Sequence, residues 1–225
     1  DGVEIKNVVK VAKKDENPKY YRTLPEAFAA AGDGSNTTVT LLADVDLDGA
    51  EWTPVNFNGV FDGQDHTISN LTITGYNSNV GFFGMTTNGE IKNVIFENAK
   101  VSGRLNVGVV AGTPYTSKYT NIKVTGHVEV NGMAYVGGVG GKNAYANWTD
   151  ITVDVDDTSY VNAYSVENGT AYRTYVGGVI GFNGEGSHTF KNISSNIKVI
   201  GSTKDIGGIF GILHYGNNAE NVTFT

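Results

Sequence analysis

The stretch Val136-Gly137-Gly138-Val139-Gly140-Gly141 is the clearest of five glycine-rich copies in this chain of 225 residues. The other copies are Val80-Gly81-Phe82-Phe83-Gly84, Val107-Gly108-Val109-Val110-Ala111-Gly112, Val176-Gly177-Gly178-Val179-Ile180-Gly181 and Ile206-Gly207-Gly208-Ile209-Phe210-Gly211. Their leading glycines follow one another at steps of 27, 29, 40 and 30 residues. A step of this size is typical of a solenoid, in which each repeat buries its apolar side only by stacking on its neighbours.

A second motif, Asn or once Asp before an aliphatic residue, recurs at steps of 23, 28, 29, 42 and 29 residues. Its copies are Asn70-Leu71, Asn93-Val94, Asn121-Ile122, Asp150-Ile151, Asn192-Ile193 and Asn221-Val222. Coils of this length, with about three short strands each, predict an all-β fold, a right-handed parallel β-helix. We expect the asparagines to stack in a ladder of side-chain amides. A β-propeller is the main rival, but its blades need about 40 residues, more than most of these steps.

The N-terminal part, residues 1–38, predicts a strand and one capping helix, and residues 39–225 predict the β-helix, with about six to seven coils. Thr23 and Glu26 have the spacing of a helix capping box, and Gly32 is suited to end the helix. The first coil has an apolar end that must be covered, and we expect this single helix to cover it. The apolar face of the helix consists of Leu24, Ala27, Phe28 and Ala31.

Composition excludes several classes of function. The net charge is −7 and no basic stripe is present, which argues against a nucleic acid partner. The chain has no cysteine, so disulfides, thiolate metal sites and a cysteine nucleophile are excluded. We find no signal peptide or membrane span, and we expect a trimmed piece of a longer protein because the chain starts without Met and ends at Thr225 inside a repeat. An open last coil predicts self-association, or a capping segment in a longer chain.

Two stretches, Trp52-Thr53-Pro54-Val55 and the run from Phe57 to Leu71, together with the glycine-rich strands, resemble GLUG-type repeat proteins over roughly residues 20–225. The resemblance implies a pectin-lyase-like β-helix in an exported, adhesin-like bacterial surface protein. The family has no general catalytic signature, so no residue inherits a catalytic role. Asp150 departs from the pattern because it stands in an Asn position, and the fourth repeat departs because it is long.

The extra length of the fourth repeat lies between Asp150 and Gly177, a distance of 27 residues where the other repeats have 15 or 16. Asn168-Gly169 stands between two β-like runs there and predicts a hairpin insertion near residues 157–175. A two-residue turn would pair Tyr164 with Arg173 and Asn162 with Tyr175 on one face. Aromatic rings and planar polar groups of this kind bind sugars. The alternative is that the hairpin only extends the sheet.

Two further aromatic sets recur with the repeat. The first lies two residues before each Asn and predicts a stacked core row: Ile91, Tyr119, Trp148, Phe190 and Ala219. The second lies earlier in the same turns, where exposure is more plausible, and adds candidate ligand-binding residues: Tyr115, Tyr145 and Tyr215.

Catalytic and metal chemistry has weaker signals. Alternating carboxylates occur at Asp44, Asp46 and Asp48 and again at Asp154 and Asp156, of which the second pair is a weak metal candidate. Solvated strand faces have the same pattern. The four histidines lack metal-ligand spacing, and we expect no cofactor.

The sequence therefore favours a non-catalytic bacterial surface module for adhesion or glycan binding, with a glycan or a host or matrix surface as the partner. The alternatives are a polysaccharide lyase or glycoside hydrolase and a purely structural stalk. Aligned carboxylates on one outer groove would favour the enzyme, and an aromatic groove without carboxylates would favour binding.

Overall fold

The structure, a computed structural model, describes residues 7–164, 166–167, 170–171, 173–184, 187–202, 205–214 and 216–225. In this part of the chain the fold is a parallel β-solenoid with one short helix, which confirms the predicted fold class.

The N-terminal cap contains two antiparallel strands and the predicted helix, with the bounds β1 (Val9–Lys13), β2 (Lys19–Tyr21) and α1 (Leu24–Ala31). The Thr23 hydroxyl accepts the main-chain N–H of Glu26 at 3.3 Å, which satisfies one free donor at the start of the helix. The helix ends at Gly32, whose φ of 70° lies in the left-handed region. The predicted apolar face is buried, so α1 covers the first coil as expected.

The solenoid strands follow in chain order. The first group is β3 (Thr37–Leu41), β4 (Val45–Asp46), β5 (Val55–Phe57), β6 (Val60–Ile73), β7 (Ser78–Val80), β8 (Phe83–Thr87), β9 (Glu90–Ser102), β10 (Leu105–Val107), β11 (Ala111–Tyr115) and β12 (Lys118–Gly132). The second group is β13 (Ala134–Gly137), β14 (Gly140–Asn143), β15 (Asn147–Val155), β16 (Tyr160–Ala163), β17 (Val166–Glu167), β18 (Thr170–Ala171), β19 (Tyr175–Gly177), β20 (Ile180–Asn183), β21 (Thr189–Ser195), β22 (Lys198–Gly201), β23 (Asp205–Gly207), β24 (Phe210–Leu213) and β25 (Asn218–Phe224).

Three sheets form the sides of the solenoid. One long sheet has twelve strands and contains the central order β6-β9-β12-β15-β21-β25, and the other two sheets have six and five strands. A complete coil runs through a strand of the five-stranded sheet, then one of the six-stranded sheet, then a long strand. Among the described residues five coils have all three strands, and the layer before them, which contains β3 to β6, has no strand in the five-stranded sheet. The number of coils is therefore smaller than the predicted six to seven.

The glycine motif has a steric cause that repeats from coil to coil. A Cβ on Gly108 would lie 2.6 Å from the carbonyl oxygen of Val139, and a Cβ on Gly137 would lie 2.6 Å from that of Val179. Both distances are far shorter than a carbon–oxygen contact allows. At this position the backbone of the next coil therefore approaches too closely for any other residue.

The Asn motif marks residues in the left-handed backbone region, with φ between 51° and 56° at Asn93, Asn121, Asp150, Asn192 and Asn221. Asparagine tolerates this conformation better than other non-glycine residues, so it bends the long strands. The side chains also bond between coils, as predicted: Asn121 donates to Asn93 at 3.0 Å, and Asn221 donates to Asn192 at 3.0 Å.

The assignment of Asn70 to the same ladder is wrong. The strand register places Ser69 beside Glu97 and Leu71 beside Ala99, so Asn70 belongs to a second bend with Asn98. The position beside Asn93 is occupied by the bulge between Asp62 and His66, because the first repeat has additional residues there. The Asp62 carboxylate accepts the Asn93 amide at 3.1 Å in place of an asparagine.

The interior is apolar and aromatic. The predicted core row is buried at four of its members, and the rings of Tyr119 and Trp148 stack at 4.0 Å. Ala219, in the last long strand, is exposed because no further coil covers it. Phe28 of α1 contacts an aromatic cluster in the first coils that contains Trp52, Phe57, Phe61, Phe82 and Phe83.

The opposite end of the solenoid is open in this chain. The strands β23, β24 and β25 lie at the ends of their sheets, and large apolar side chains are exposed on them, namely Ile206, Leu213 and Phe224. An exposed strand edge is a template for pairing with another chain. Self-association through this end stays a prediction.

Removing the Phe28 ring should destabilise the protein strongly. Phe28 is only 5 % exposed and contacts five other aromatic rings, so Phe28→Ala should lower the free energy of unfolding by about 3–5 kcal/mol. Chemical denaturation measures the loss, with the exposed Met85→Ala as the matched truncation. A loss no larger than that of Met85→Ala would mean that the helix does not close the core.

Converting Asp150 to Asn should stabilise the protein. Asp150 accepts the Asn192 amide at 2.6 Å, but as a carboxylate it has no hydrogen to donate to Asn121. Asp150→Asn supplies that donor and suits the local φ of 56°, so we expect a gain of about 0.5–1 kcal/mol. Asp154→Asn removes the same charge from the same strand outside the ladder. Urea unfolding measures both variants. If Asp154→Asn raises the free energy of unfolding as much as Asp150→Asn, the gain is due to the lost charge and not to the ladder.

Candidate functional site

The predicted hairpin is present in the part of the insertion that the structure describes. Strands β17 and β18 pair antiparallel, with Val166 opposite Ala171 and Glu167 opposite Thr170. This register is the one that a two-residue turn at Asn168-Gly169 requires, although the turn residues themselves lie outside the described residues.

The ends of the insertion belong to the solenoid and not to the hairpin. Asn162 lies in β16, which pairs in parallel with β12 and β22, whereas Tyr175 lies in β19, which pairs with β13 and β23. The predicted pairing of Asn162 with Tyr175 is therefore wrong, because the main-chain groups of both residues bond to neighbouring coils of different sheets. The Asn162 amide instead donates to Asn131 at 3.1 Å.

Tyr164 and Tyr175 have different surroundings. The Tyr164 hydroxyl donates to the carbonyl oxygen of Gly103 at 3.4 Å. The Tyr175 ring stacks on Tyr135 at 5.3 Å with an interplanar angle of 8°, and the Arg173 guanidinium lies 5.1 Å from its centroid. Tyr175 is therefore covered by two neighbours and is less accessible for sugar stacking than predicted.

Arg173 is also engaged by a carboxylate. Its Nε and Nη2 donate to the two oxygens of Asp205 at 2.7 and 3.2 Å, a two-point contact between neighbouring coils. This pair raises the pKa of Arg173. This contact holds the guanidinium beside the rings and engages two of its five N–H donors.

The second tyrosine set is more open. Tyr115 is the last residue of β11 and Tyr145 lies in the bend after β14 of the next coil; they are 41 % and 55 % exposed, with ring centroids 5.9 Å apart and nearly perpendicular planes. The other neighbour of Tyr145 is the buried His188, at 5.5 Å. Tyr145 has a φ of 68°, in the left-handed region, which holds its side chain at a bend of the backbone. Tyr215, the third predicted member, lies outside the described residues.

Four of the five carboxylates in the acidic runs accept hydrogen bonds from other described residues, and the Asp48 carboxylate is the exception. Asp154 accepts the Asn196 amide at 3.2 Å, and Asp156 follows the end of β15 and accepts the main-chain N–H and the hydroxyl of Thr158. Asp44 accepts the main-chain N–H of Thr67, which lowers its pKa. Among the described residues no group of three or more His, Asp or Glu side chains is arranged to hold a metal ion.

The structure assembles a charged cluster that sequence reasoning missed. His127 Nδ1 lies 3.2 Å from Asp156 Oδ2, its Nε2 lies 3.3 Å from Glu129 Oε1, and Lys100 Nζ lies 3.4 Å from Glu129 Oε2. Lys100, His127 and Asp156 belong to three successive coils. Their separation of about 29 residues in sequence hides the contact until the register of β9, β12 and β16 is known.

Two carboxylates act on the His127 imidazole. The hydrogen bond to Glu129 is the largest influence on the pKa of His127 and raises it. Burial lowers this pKa by less than Glu129 raises it, and the hydrogen bond to Asp156 raises it further. Contacts with Thr158 lower the pKa of Asp156 to about 2. Both carboxylates are therefore ionised at neutral pH and favour the imidazolium form.

Comparison with known proteins gives one significant curated relative. The chain is 35 % identical over 133 residues to Halomucin of Haloquadratum walsbyi (strain DSM 16790 / HBSQ001), an alignment that covers 51 % of this chain and 1 % of the relative. No family model matches the chain, and no solved structure matches it significantly. The assignment to GLUG-type and pectin-lyase-like proteins therefore stays a prediction. No helix among the described residues is long and apolar enough to cross a membrane.

Protonation of His127 should contribute to stability in acid. A folded-state pKa above the unfolded value means that this contribution is fully present below about pH 6.5 and is lost as the pH rises through the folded pKa. His127→Gln should therefore be less stable than the wild type at about pH 5.5 and equal to it in the alkaline range. The imidazole is 45 % exposed, so the difference should stay under about 1 kcal/mol.

Unfolding of both proteins across pH measures this effect. Glu129→Gln removes the larger of the two causes that raise the pKa of His127. In that background, the pH-dependent difference in unfolding free energy between the protein with His127 and the His127→Gln variant should be smaller. A difference that is constant with pH would contradict the ion-pair explanation.

Proposed function

We propose that this chain is a surface-exposed β-solenoid module that binds a glycan through Tyr115 and Tyr145. The observation that carries the proposal is that these two rings are exposed side by side on successive coils, at the end of β11 and just after β14. Exposed aromatic rings that adjoin one another on a rigid scaffold are typical of binding surfaces.

The physical basis is the match between a tyrosine and a sugar ring. A sugar presents an apolar C–H face, which stacks on an aromatic ring, and hydroxyls at its edge, which bond to the phenol or to nearby main-chain groups. A tyrosine side chain has only two rotatable angles, so little conformational entropy is lost when it is fixed by a ligand. Two nearly perpendicular rings would contact a sugar ring from two sides.

The comparison with Halomucin supports a surface location. The name of that protein describes a mucin, a class of extracellular protein, and its source is an archaeon. The same likeness weakens the prediction that the source is specifically bacterial. Because the chain covers 1 % of the relative, the likeness is used here for the surface location alone.

The predicted hairpin set, Asn162, Tyr164, Arg173 and Tyr175, is the second candidate for the glycan contact. Tyr164 is 38 % exposed, so a sugar can reach its ring, whereas Tyr135 and Arg173 cover Tyr175. We therefore rank Tyr115 and Tyr145 first and treat the hairpin set as the alternative outcome of the test.

The test is a glycan array followed by titration of the best ligand. Tyr145→Asn removes the ring and keeps a residue that tolerates the left-handed φ, and Tyr115→Ala removes the other ring. Each should weaken glycan binding at least tenfold, because an aromatic anchor supplies a large part of the affinity at such sites. Thermal stability should change little, because both side chains are exposed.

The matched control is Tyr20→Ala, because Tyr20 is also 55 % exposed but lies in the N-terminal cap. Loss of binding in Tyr164→Ala or Tyr175→Ala alone would move the site to the hairpin. A module that binds no glycan on the array would leave the stalk as the better explanation. Release of new sugar chain ends during the titration would favour the enzyme.

A further inference from the structure

A polar groove lies on the long sheet at the second bend, far along the strands from Tyr115 and Tyr145. Its volume is about 450 Å³, within the range of small-molecule sites. Buried Leu71 and Ala99 form part of its lining. The polar side chains around it include Asp48, Asn70, Thr72, Asn98, Lys100 and Glu129.

Strand register explains why these residues meet. Thr72, Lys100 and Glu129 occupy the same position on β6, β9 and β12, so their side chains form a row across three coils. Asn70 and Asn98 have φ values of 58° and 56° and bend the strands immediately before that row. The groove is therefore built on hydrogen-bonded strands, which hold its polar groups at constant spacing.

Several hydrogen-bonding groups in the groove have no partner within the described part of the chain. The main-chain N–H of Asp48 donates to the Asp46 carboxylate, but no described protein group donates to the carboxylate of Asp48 itself. Asn98 uses only its Oδ1, which accepts the main-chain N–H of His127, so its amide NH₂ group is available. The Thr72 hydroxyl is a third such group. This contrasts with Asp154 and Asp156, whose carboxylates are already bonded.

The charge of the groove selects among polar ligands. Asp48 and Glu129 are carboxylates of the lining, and Asp156 lies behind His127. The cations of the groove are Lys100, which is paired with Glu129 at 3.4 Å, and His127, which contacts both Glu129 and Asp156. Three carboxylates therefore face two cations even when His127 is protonated, so one negative charge is in excess. An acidic sugar would meet like charge, whereas an ammonium group would meet opposite charge.

We propose that this groove is a second saccharide site, one that accepts a neutral or amino sugar and excludes an acidic one. Amide, hydroxyl and carboxylate groups in one groove can bond to the hydroxyls of a sugar. The site is independent of the tyrosine surface, because the two sets of residues lie toward opposite ends of β12.

The test titrates the intact chain with a chitosan oligomer, a neutral chitin oligomer and a uronic-acid oligomer, followed by NMR or calorimetry. The wild type should bind the first two and not the third. Thr72→Val keeps the side-chain shape, removes the hydroxyl and should weaken both ligands about fivefold or more. Asp48→Asn and Glu129→Gln should weaken the chitosan oligomer more than the neutral one.

The control is Glu220→Gln, which makes the same charge change in the last long strand, outside the groove. Tyr145→Asn should leave groove binding unchanged, so the failure of one site is distinguishable from the failure of the other. The proposal is overturned if none of these oligomers binds, if the uronic-acid oligomer binds as tightly as chitosan, or if Glu220→Gln acts like Glu129→Gln.

Discussion

Close approach between the backbones of successive coils is the constraint on which the rest of this structure depends. At the glycine that leads each repeat, a carbonyl oxygen of the next coil occupies the space where a Cβ would lie, as at Gly108 and Gly137. Parallel strands then pair in constant register along three sheets. Within each sheet the main-chain groups of one strand bond to the strands of the neighbouring coils. Each coil therefore adds stability by covering the previous one.

Constant register also determines what appears on the surface. Residues at equivalent positions of successive coils become neighbours, so side chains one repeat apart in sequence, 29 positions in two of the pairs below and 40 across the insertion, form rows. Tyr119 and Trp148 stack inside the solenoid, Tyr135 and Tyr175 stack outside it, and Lys100 and Glu129 form an ion pair. A solenoid can therefore place functional side chains in rows on the surface of a sheet, without a specialised loop.

The left-handed residues at the bends have two roles. Asn93 and Asn121 turn the long strand and also bond to each other between coils, so the same residue type serves backbone conformation and coil contact. Where one coil departs from the pattern, neighbours compensate: Asp62 and Asp65 accept the amides of Asn93 and Asn121 at the bulge of the first repeat. Tolerance of this kind allows a repeat to lengthen without loss of register.

The β-solenoid architecture, the single capping helix and the buried aromatic row could be predicted from the sequence alone. The capping box acts within a few residues, and the glycine and aromatic motifs recur at a step that can be counted along the chain. Only the tertiary structure decided that Asn70 leaves the main ladder, that Asn162 and Tyr175 lie in different sheets, and that His127 stands between Glu129 and Asp156. The physical reason is that the register between coils depends on bulges and on insertions that repeat counting does not locate to the residue. A shift of a few positions changes every neighbour of a side chain, and an odd shift also exchanges the buried and exposed faces of a strand.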